Sequence, residues 1–263
     1  MRPVRLLATV LALAGLLLTL TPPRAQATAP AAEAAATASR PVVAWPHEGS
    51  DLAPDPSLRF GRLDNGLRYV RMVNREPRDR VALYLNVQAG SLHETDDQRG
   101  VAHFLEHMLF KGTTHYPPGT LVEYFQSIGM GFGADTNAHT SFDETVYNLL
   151  LPSGKKEVLA EGVKVLADYA RGALLLEAEV ERERGIILAE KRSRDSAESR
   201  VGKEQLRFDF AGSLVTERDP IGTEVVLAVA DSRLLHGYYD RWYRPDNMIV
   251  VVVGDMDPEE AEQ

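Results

Sequence analysis

The 263-residue sequence contains no cysteine. This absence excludes disulfide bonds, thiolate metal ligands and a lipid anchor attached to an N-terminal cysteine. Any metal ion bound by this chain must therefore be held by histidine, aspartate or glutamate side chains.

Positive charge is also in short supply. The chain has 29 lysine and arginine residues against 38 aspartate and glutamate residues, which gives a formal net charge of −9. This balance does not support nucleic-acid binding. It favours attraction of cationic peptides only weakly, because an acidic surplus also serves solubility.

Long apolar runs are absent except at the N-terminus. The run Leu6–Leu20 carries no charge and follows Arg2 and Arg5. It is short for a membrane span, and the A-Q-A triplet at 25–27 resembles a signal-peptidase site. We predict a signal peptide over residues 1–27 and a periplasmic or secreted protein with no membrane association beyond export. A retained N-terminal anchor is the alternative.

The composition changes after the signal peptide. Residues 28–50 are rich in alanine, proline, threonine and serine, and they predict a disordered spacer. Residues 51–263 are enough for one domain with a substantial core. The sequence stops shortly after Pro258, where a helix is expected to begin, so we expect the domain to be truncated at its C-terminal end.

Apolar periodicity predicts strands and helices mixed along the chain. Asp64-Asn65-Gly66 is a hairpin turn signal between two alternating segments. Further strands are predicted at 81–87, 133–140, 144–151 and 248–254, and helices at 100–110, 120–128, 155–175, 178–209 (one helix or a pair) and 233–242. The expected fold is α+β, a mixed sheet with helices packed on it.

The most informative stretch is His103-Phe104-Leu105-Glu106-His107. On a helix, His103 and His107 lie one turn apart on the same face and can bind one Zn²⁺. Glu106 lies beside them, within reach of a water on that metal. This is the H-E-x-x-H chemistry of metalloproteases with the motif inverted to H-x-x-E-H.

The alternative is a chance pattern on an ordinary helix. The three polar groups are, however, flanked by Phe104, Leu105, Met108, Leu109 and Phe110. Burying polar groups without partners costs about 1–3 kcal/mol each, and a metal ion would satisfy all three together. The flanking residues therefore favour a metal site.

A catalytic zinc usually takes three protein ligands and a water, so a third ligand is required. Glu183 and Glu190 lie seven residues apart in a predicted helix and share a face. At about 10 Å apart along the helix axis they are too distant to bind the same ion together. The residues alone leave both as candidates.

Four stretches together resemble the pitrilysin/insulinase family of inverted zinc metallopeptidases, which includes the mitochondrial processing peptidase. They are Gly100–Thr113, Asn137–Tyr147, Glu181–Glu190 and Tyr239–Asp255. The similarity extends from about residue 58 to the end and is strongest to bacterial exported members. It implies the metal-bearing N-terminal domain of such an enzyme, with a largely antiparallel sheet.

The resemblance implies roles for the site residues. His103, His107 and Glu190 match the zinc ligands, Glu106 matches the general base, and Glu183 matches a second carboxylate that supports catalysis. The family's usual spacing after the second histidine falls on Glu183, whereas the local E-R-G pattern selects Glu190. The implied activity is a zinc-dependent endopeptidase or oligopeptidase.

The resemblance also implies how substrate binds. Asn137, Ala138, His139 and Thr140 match an edge strand that pairs with an extended peptide or unfolded segment. His139 is expected at the rim rather than on the metal. A second homologous domain or subunit is expected to complete the chamber. The alternatives are a non-catalytic peptide-binding or assembly subunit of the same fold, and a metal-storage or metal-sensing protein.

Overall fold

The computed structural model describes residues 44–259, in which six strands form one sheet in the order β1-β2-β6-β3-β5-β4. The strands are β1 (Arg59–Arg62), β2 (Arg68–Val73), β3 (Val81–Val87), β4 (Thr136–Thr140), β5 (Thr145–Leu151) and β6 (Met248–Gly254). Neighbouring strands are antiparallel except β2 and β6, which run parallel. The predicted mixed, largely antiparallel sheet is confirmed, and β4 lies at one edge.

Seven α-helices accompany the sheet in the described residues. They are α1 (Val101–Met108), α2 (Thr120–Ser127), α3 (Lys156–Arg171), α4 (Glu177–Ser193), α5 (Ala197–Asp209), α6 (Glu224–Leu227) and α7 (Ser232–Trp242). The charged segment predicted at 178–209 is a helix pair. The break has a local cause, because the Ser196 hydroxyl accepts a hydrogen bond from the Ser199 amide and caps α5.

The core lies between the sheet and the helices. On β3 every second side chain is buried, from Val81 through Leu83 and Leu85 to Val87, while Tyr84 on the other face is exposed. Full burial of each such aliphatic side chain stabilises the fold by about 1.5–3 kcal/mol. This alternation fixes the register of the central strand, and α1 packs over β4 and β5 next to it.

Helix α1 is almost entirely buried, since seven of its eight residues are shielded from solvent. It begins after Gly100, whose φ of 104° favours glycine. Gly100 also packs against Gly222, and a Cβ atom added to Gly100 would lie only 2.8 Å from the Gly222 Cα. The buried Glu94 carboxylate accepts hydrogen bonds from the amides of Gly100 (3.0 Å) and Ala102 (2.9 Å). These contacts fix where α1 starts.

The predicted signal peptide, residues 28–43 of the predicted spacer and residues 260–263 lie outside the described residues. The remaining part of the predicted spacer contains a short 3-10 helix, Pro46–Gly49. The Trp45 ring is buried, with its centroid 5.0 Å from that of Phe60. Within residues 44–259, every helix is too short or too polar to cross a membrane.

Candidate metal centre

Three ligand atoms converge where α1 faces α4. One ligand atom each from His103, His107 and Glu190 lies within 4.8 Å of the other two. The His103 Nε2 is 3.7 Å from Glu190 Oε1, and the His107 Nε2 is 3.4 Å from Glu190 Oε2. The two histidine rings, one helical turn apart, have centroids separated by 4.7 Å.

The donor set fits a divalent ion such as zinc. Separations of 3.4 and 3.7 Å are too long for good hydrogen bonds. They are close to the spacing of about 3.3 Å between ligand atoms that share one tetrahedral zinc at bond lengths of about 2.0–2.1 Å. In addition, the buried His103 Nδ1 has no hydrogen-bond partner among the described residues, so no hydrogen bond at this atom fixes the tautomer that would leave the Nε2 unable to bind a metal. Two imidazoles and a carboxylate form a typical zinc set.

Burial keeps one ligand in its metal-binding form. Burial, reinforced by the neighbouring His107, lowers the pKa of His103 to about 3. The ring is therefore neutral at physiological pH, and a lone pair is available to a metal. The side chains of His107 (22 % exposed) and Glu190 (24 % exposed) open the centre to solvent on one side.

Glu183 lies on the same helix as Glu190 but makes different contacts. Its Oε1 is 2.9 Å from the His107 Nδ1, and its Oε2 is 2.8 Å from the Lys111 Nζ. Burial opposes ionisation of this carboxyl, but hydrogen bonds from His107 and Lys111 outweigh it and lower its pKa. An ionised Glu183 accepts the Nδ1 proton and leaves the His107 Nε2 lone pair directed at Glu190.

Glu106 is buried beside the three donors. Its Oε2 accepts a 2.7 Å hydrogen bond from the Thr140 hydroxyl at the end of β4. Burial raises the pKa of Glu106, and the Thr140 hydrogen bond counteracts part of that shift. A carboxylate with a raised pKa accepts and returns a proton more readily near neutral pH than a solvated one.

The segment expected to bind substrate runs along the sheet edge to this point. Asn137 and Ala138 line a cavity of about 320 Å³ together with Phe110, Phe132 and Ile186, which we call the apolar cavity. Glu106 and His107 also line it. The His139 side chain is largely exposed, with its Nε2 3.6 Å from Glu144 Oε1. Of the four residues in this segment, Asn137 and Ala138 border the apolar cavity, His139 is largely exposed, and Thr140 donates a hydrogen bond to Glu106.

Three supporting residues were not identified from the sequence. They are Lys111, which binds Glu183; Arg194, which donates to Glu190 Oε1; and Glu94, which caps α1. Arg194 lies four residues after Glu190 on a charged helix, which is a usable signal for a pair. No sequence signal identified Glu94, because six residues separate it from the start of the helix that it caps.

Comparison with known proteins gives the same family. The model of the insulinase (M16) peptidase family matches residues 69–213, and that of the M16 inactive domain matches residues 232–263. The chain belongs to the M16 peptidase family. The resemblance drawn from the sequence motifs is therefore confirmed.

Named relatives of this M16 chain are peptidases, one of them named as a probable zinc protease. The chain is 41 % identical to the probable zinc protease PqqL of Escherichia coli over 80 % of the chain but 23 % of that relative. It is 31 % identical to the chloroplastic stromal processing peptidase of Pisum sativum over 79 % of the chain and 16 % of that relative. The chain thus spans about a quarter or less of the length of these curated relatives.

Solved structures share the fold. The first half of the periplasmic protease PqqL from Escherichia coli matches with a TM-score of 0.78 and 41 % identity, covering 80 % of this chain and 45 % of that one. The ferredoxin protease FusC, solved as a mutant in complex with Arabidopsis ferredoxin, matches with a TM-score of 0.73 and 33 % identity, covering 78 % and 23 %. Both matches show that the chain has the fold of M16 peptidases.

Proposed function

We propose that this chain is the metal-bearing part of an exported zinc endopeptidase that cleaves extended peptides or unfolded segments. The observation that carries the proposal is the convergence of His103, His107 and Glu190 beside the buried Glu106 at a sheet edge. A non-catalytic member of the family would be expected to lack a ligand or the base. The presence of the complete set supports an enzyme.

His103, His107 and Glu190 would hold the ion, and Glu183 would orient His107 through its Nδ1. A zinc ion held there supplies Lewis acidity, which acidifies water and polarises a peptide carbonyl. The assignment of Glu190 rather than Glu183 is supported by its proximity to the Nε2 atoms of both histidines.

Glu106 acts as the proton carrier. Its Oε2 is oriented by the Thr140 hydroxyl, and its burial excludes bulk solvent from the carboxylate. Glu106 takes a proton from the attacking water and delivers it to the leaving amine as the peptide bond breaks. A raised pKa helps the second step, because the protonated form persists long enough to be used.

Substrate binds along β4. As an edge strand, β4 pairs with β5 on one side, and on its other side an isolated bridge joins Phe132 to Thr136. The backbone N–H and C=O groups beyond Thr136 on this outer side can pair with an extended peptide. Asn137 to Thr140 would carry the pairing, and the apolar cavity beside Ala138 would receive a side chain. The homology to the first half of PqqL supports a second M16 domain or subunit that closes the chamber.

The decisive experiment is the Glu106→Gln substitution. The zinc-loaded protein should lose about 10²–10⁴-fold in kcat/KM on a peptide substrate while still binding one zinc ion, because the amide cannot carry a proton. Glu181→Gln, an exposed glutamate paired with Arg184 on α4, is the matched control and should keep full activity. Native-rate cleavage by the zinc-bound Glu106→Gln protein would refute the proposed mechanism.

A further inference from the structure

A second cavity, of about 460 Å³, lies close to the metal centre. It is lined by Lys191, which directly follows Glu190, and by Arg99, which directly precedes Gly100 at the start of α1. The cavity is also lined by Lys203 and Arg207 of α5 and by Phe142. We call it the basic cavity.

The charge of this cavity is opposite to that of the chain. Four cationic side chains and two carboxylates, Glu217 and Asp219, line it, so the lining carries +4 − 2 = +2 against −9 for the whole sequence. Both carboxylates are already engaged. Lys203 Nζ lies 2.9 Å from Asp219 Oδ2, and Arg99 Nη2 lies 3.6 Å from Glu217 Oε2.

Arg207 pairs with Glu204, so Lys191 is the one lining cation without a salt bridge among the described residues. Its ammonium donates to the carbonyl oxygen of Gly222 at 2.7 Å, and among residues 44–259 no carboxylate lies within 4.0 Å of it. The Lys191 side chain is partly buried. A partly desolvated ammonium gains more from an arriving anion than a fully solvated one does.

The sheet edge connects the two cavities. Ala138 lines the apolar cavity, Thr140 contacts Glu106, and Phe142 lines the basic cavity. Ala138 and Thr140 lie on β4, which ends at Thr140, and Phe142 lies in the turn that follows, two residues further along the chain. An extended peptide paired with β4 therefore meets the two cavities on opposite sides of its scissile bond.

We propose that the basic cavity is a substrate subsite for an acidic side chain, aspartate or glutamate, about two to four residues from the scissile bond. It acts on the side of the bond opposite to the residue in the apolar cavity. Lys191 binds the substrate carboxylate directly, and Lys203 and Arg207 add to the attractive field. The inference rests on the proposed peptidase function and specifies which peptides that function selects.

The test uses the zinc-loaded protein and quenched fluorescent peptides of one sequence. Glutamate, glutamine or lysine is placed in turn at each position two to four residues from the bond, on either side. At one such position glutamate should exceed glutamine by about tenfold in kcat/KM, as expected for one charge-assisted contact. Lysine there should be cleaved more slowly than glutamine.

Lys191→Gln should reduce the glutamate-to-glutamine ratio to about one, and Arg207→Gln should reduce it by a smaller factor. Lys164→Gln removes the same charge from the surface of α3, where Lys164 pairs with Glu161 at 3.3 Å, and should leave the ratio unchanged. Zinc content and thermal unfolding are measured for each variant. If Lys191→Gln does not fold, the Arg207→Gln ratio decides.

Peptide binding to the Glu106→Gln protein, followed by fluorescence anisotropy, separates failure of the subsite from failure of the function. Cleavage of all peptides without an acidic preference overturns the subsite and leaves the peptidase intact. If no peptide is cleaved, the peptidase fails, and tighter binding of glutamate peptides that Lys191→Gln abolishes still supports the cavity. Equal binding of glutamate and glutamine peptides overturns the inference.

Discussion

Two histidines in this chain share the same kind of partner. His107 Nδ1 lies 2.9 Å from Glu183, and His115 Nδ1 lies 2.7 Å from Asp168. Both carboxylates are buried, with side chains 4 % and 6 % exposed. The two histidine–carboxylate pairs therefore have nearly the same distance and a similarly buried carboxylate.

The surroundings of the two imidazoles distinguish them. The Nε2 of His107 faces Glu190, with His103 one turn away, whereas the His115 side chain is 54 % exposed and belongs to no metal-ligand group in the described part of the chain. Asp168 instead accepts hydrogen bonds from the Thr113 hydroxyl (2.6 Å) and the His115 backbone amide (2.9 Å). A histidine–carboxylate pair thus orients a ring, and only a second histidine and a further carboxylate around its free nitrogen make a metal centre.

Among the substitutions that test this comparison, Glu190→Gln should reduce zinc affinity the most. Loss of a direct ligand should weaken zinc binding by more than about 100-fold, because the loss of an outer partner already costs about 10–100-fold. Competition with a chromogenic chelator measures this. The exposed Glu181→Gln variant is the control, and zinc affinity within a few-fold of the native value in Glu190→Gln would remove it from the ligand set.

Glu183→Gln should have an intermediate effect. The amide still fits the site, but it holds the His107 Nδ1 proton and the Lys111 ammonium less strongly, so zinc affinity should fall by about 10–100-fold. The same chelator competition applies. If Glu183→Gln lost as much affinity as Glu190→Gln, the assignment of Glu183 as an orienting rather than a ligating residue would be wrong.

Asp168→Asn should leave zinc affinity unchanged and lower stability by about 1–3 kcal/mol, the cost of weakening a buried hydrogen-bonded carboxylate. Burial opposes ionisation of Asp168, but hydrogen bonds from Thr113 and His115 prevail and lower its pKa below 3.8. Its contribution is therefore fully present above pH 3.8 and is lost as the pH falls through the lower folded-state pKa.

Urea unfolding of the metal-free protein at several pH values measures this contribution. The difference between native and variant should be constant from pH 7 to about 5 and should shrink below 3.8. Asp240→Asn is the control, because this aspartate is 65 % exposed and lies 3.7 Å from Arg171. A loss of zinc affinity in Asp168→Asn would show that the two pairs are coupled.

The sequence predicted the parts of the centre that depend on one helix. His103, Glu106 and His107 are placed by helical periodicity alone, and their apolar neighbours predict the burial of α1 that the structure has. Of the strands of the sheet, β1 and β2 were predicted from alternating apolar residues, and β3 and β6 from more continuous apolar runs.

The choice between Glu183 and Glu190 could not be made from the same pattern. Both lie on one face of α4, and which of them lies near the Nε2 atoms of both histidines depends on where α4 crosses α1. The contacts of Lys111 and Glu94 depend likewise on how loops fold back on helices. The basic cavity was unpredictable for a related reason, since its cations come from three separate segments.

The close approach of Gly100 to Gly222 has a consequence for how the protein acquires its ion. These glycines are 222 − 100 = 122 positions apart, so the start of α1 is settled only when a late segment has docked against it. During synthesis both histidines emerge long before Glu190 and Gly222 do. Such long-range closure comes late in folding. Tight binding of the ion should therefore be reached only when folding is complete. Removal of the ion by a chelator should be slowest once the contact between Gly100 and Gly222 has formed.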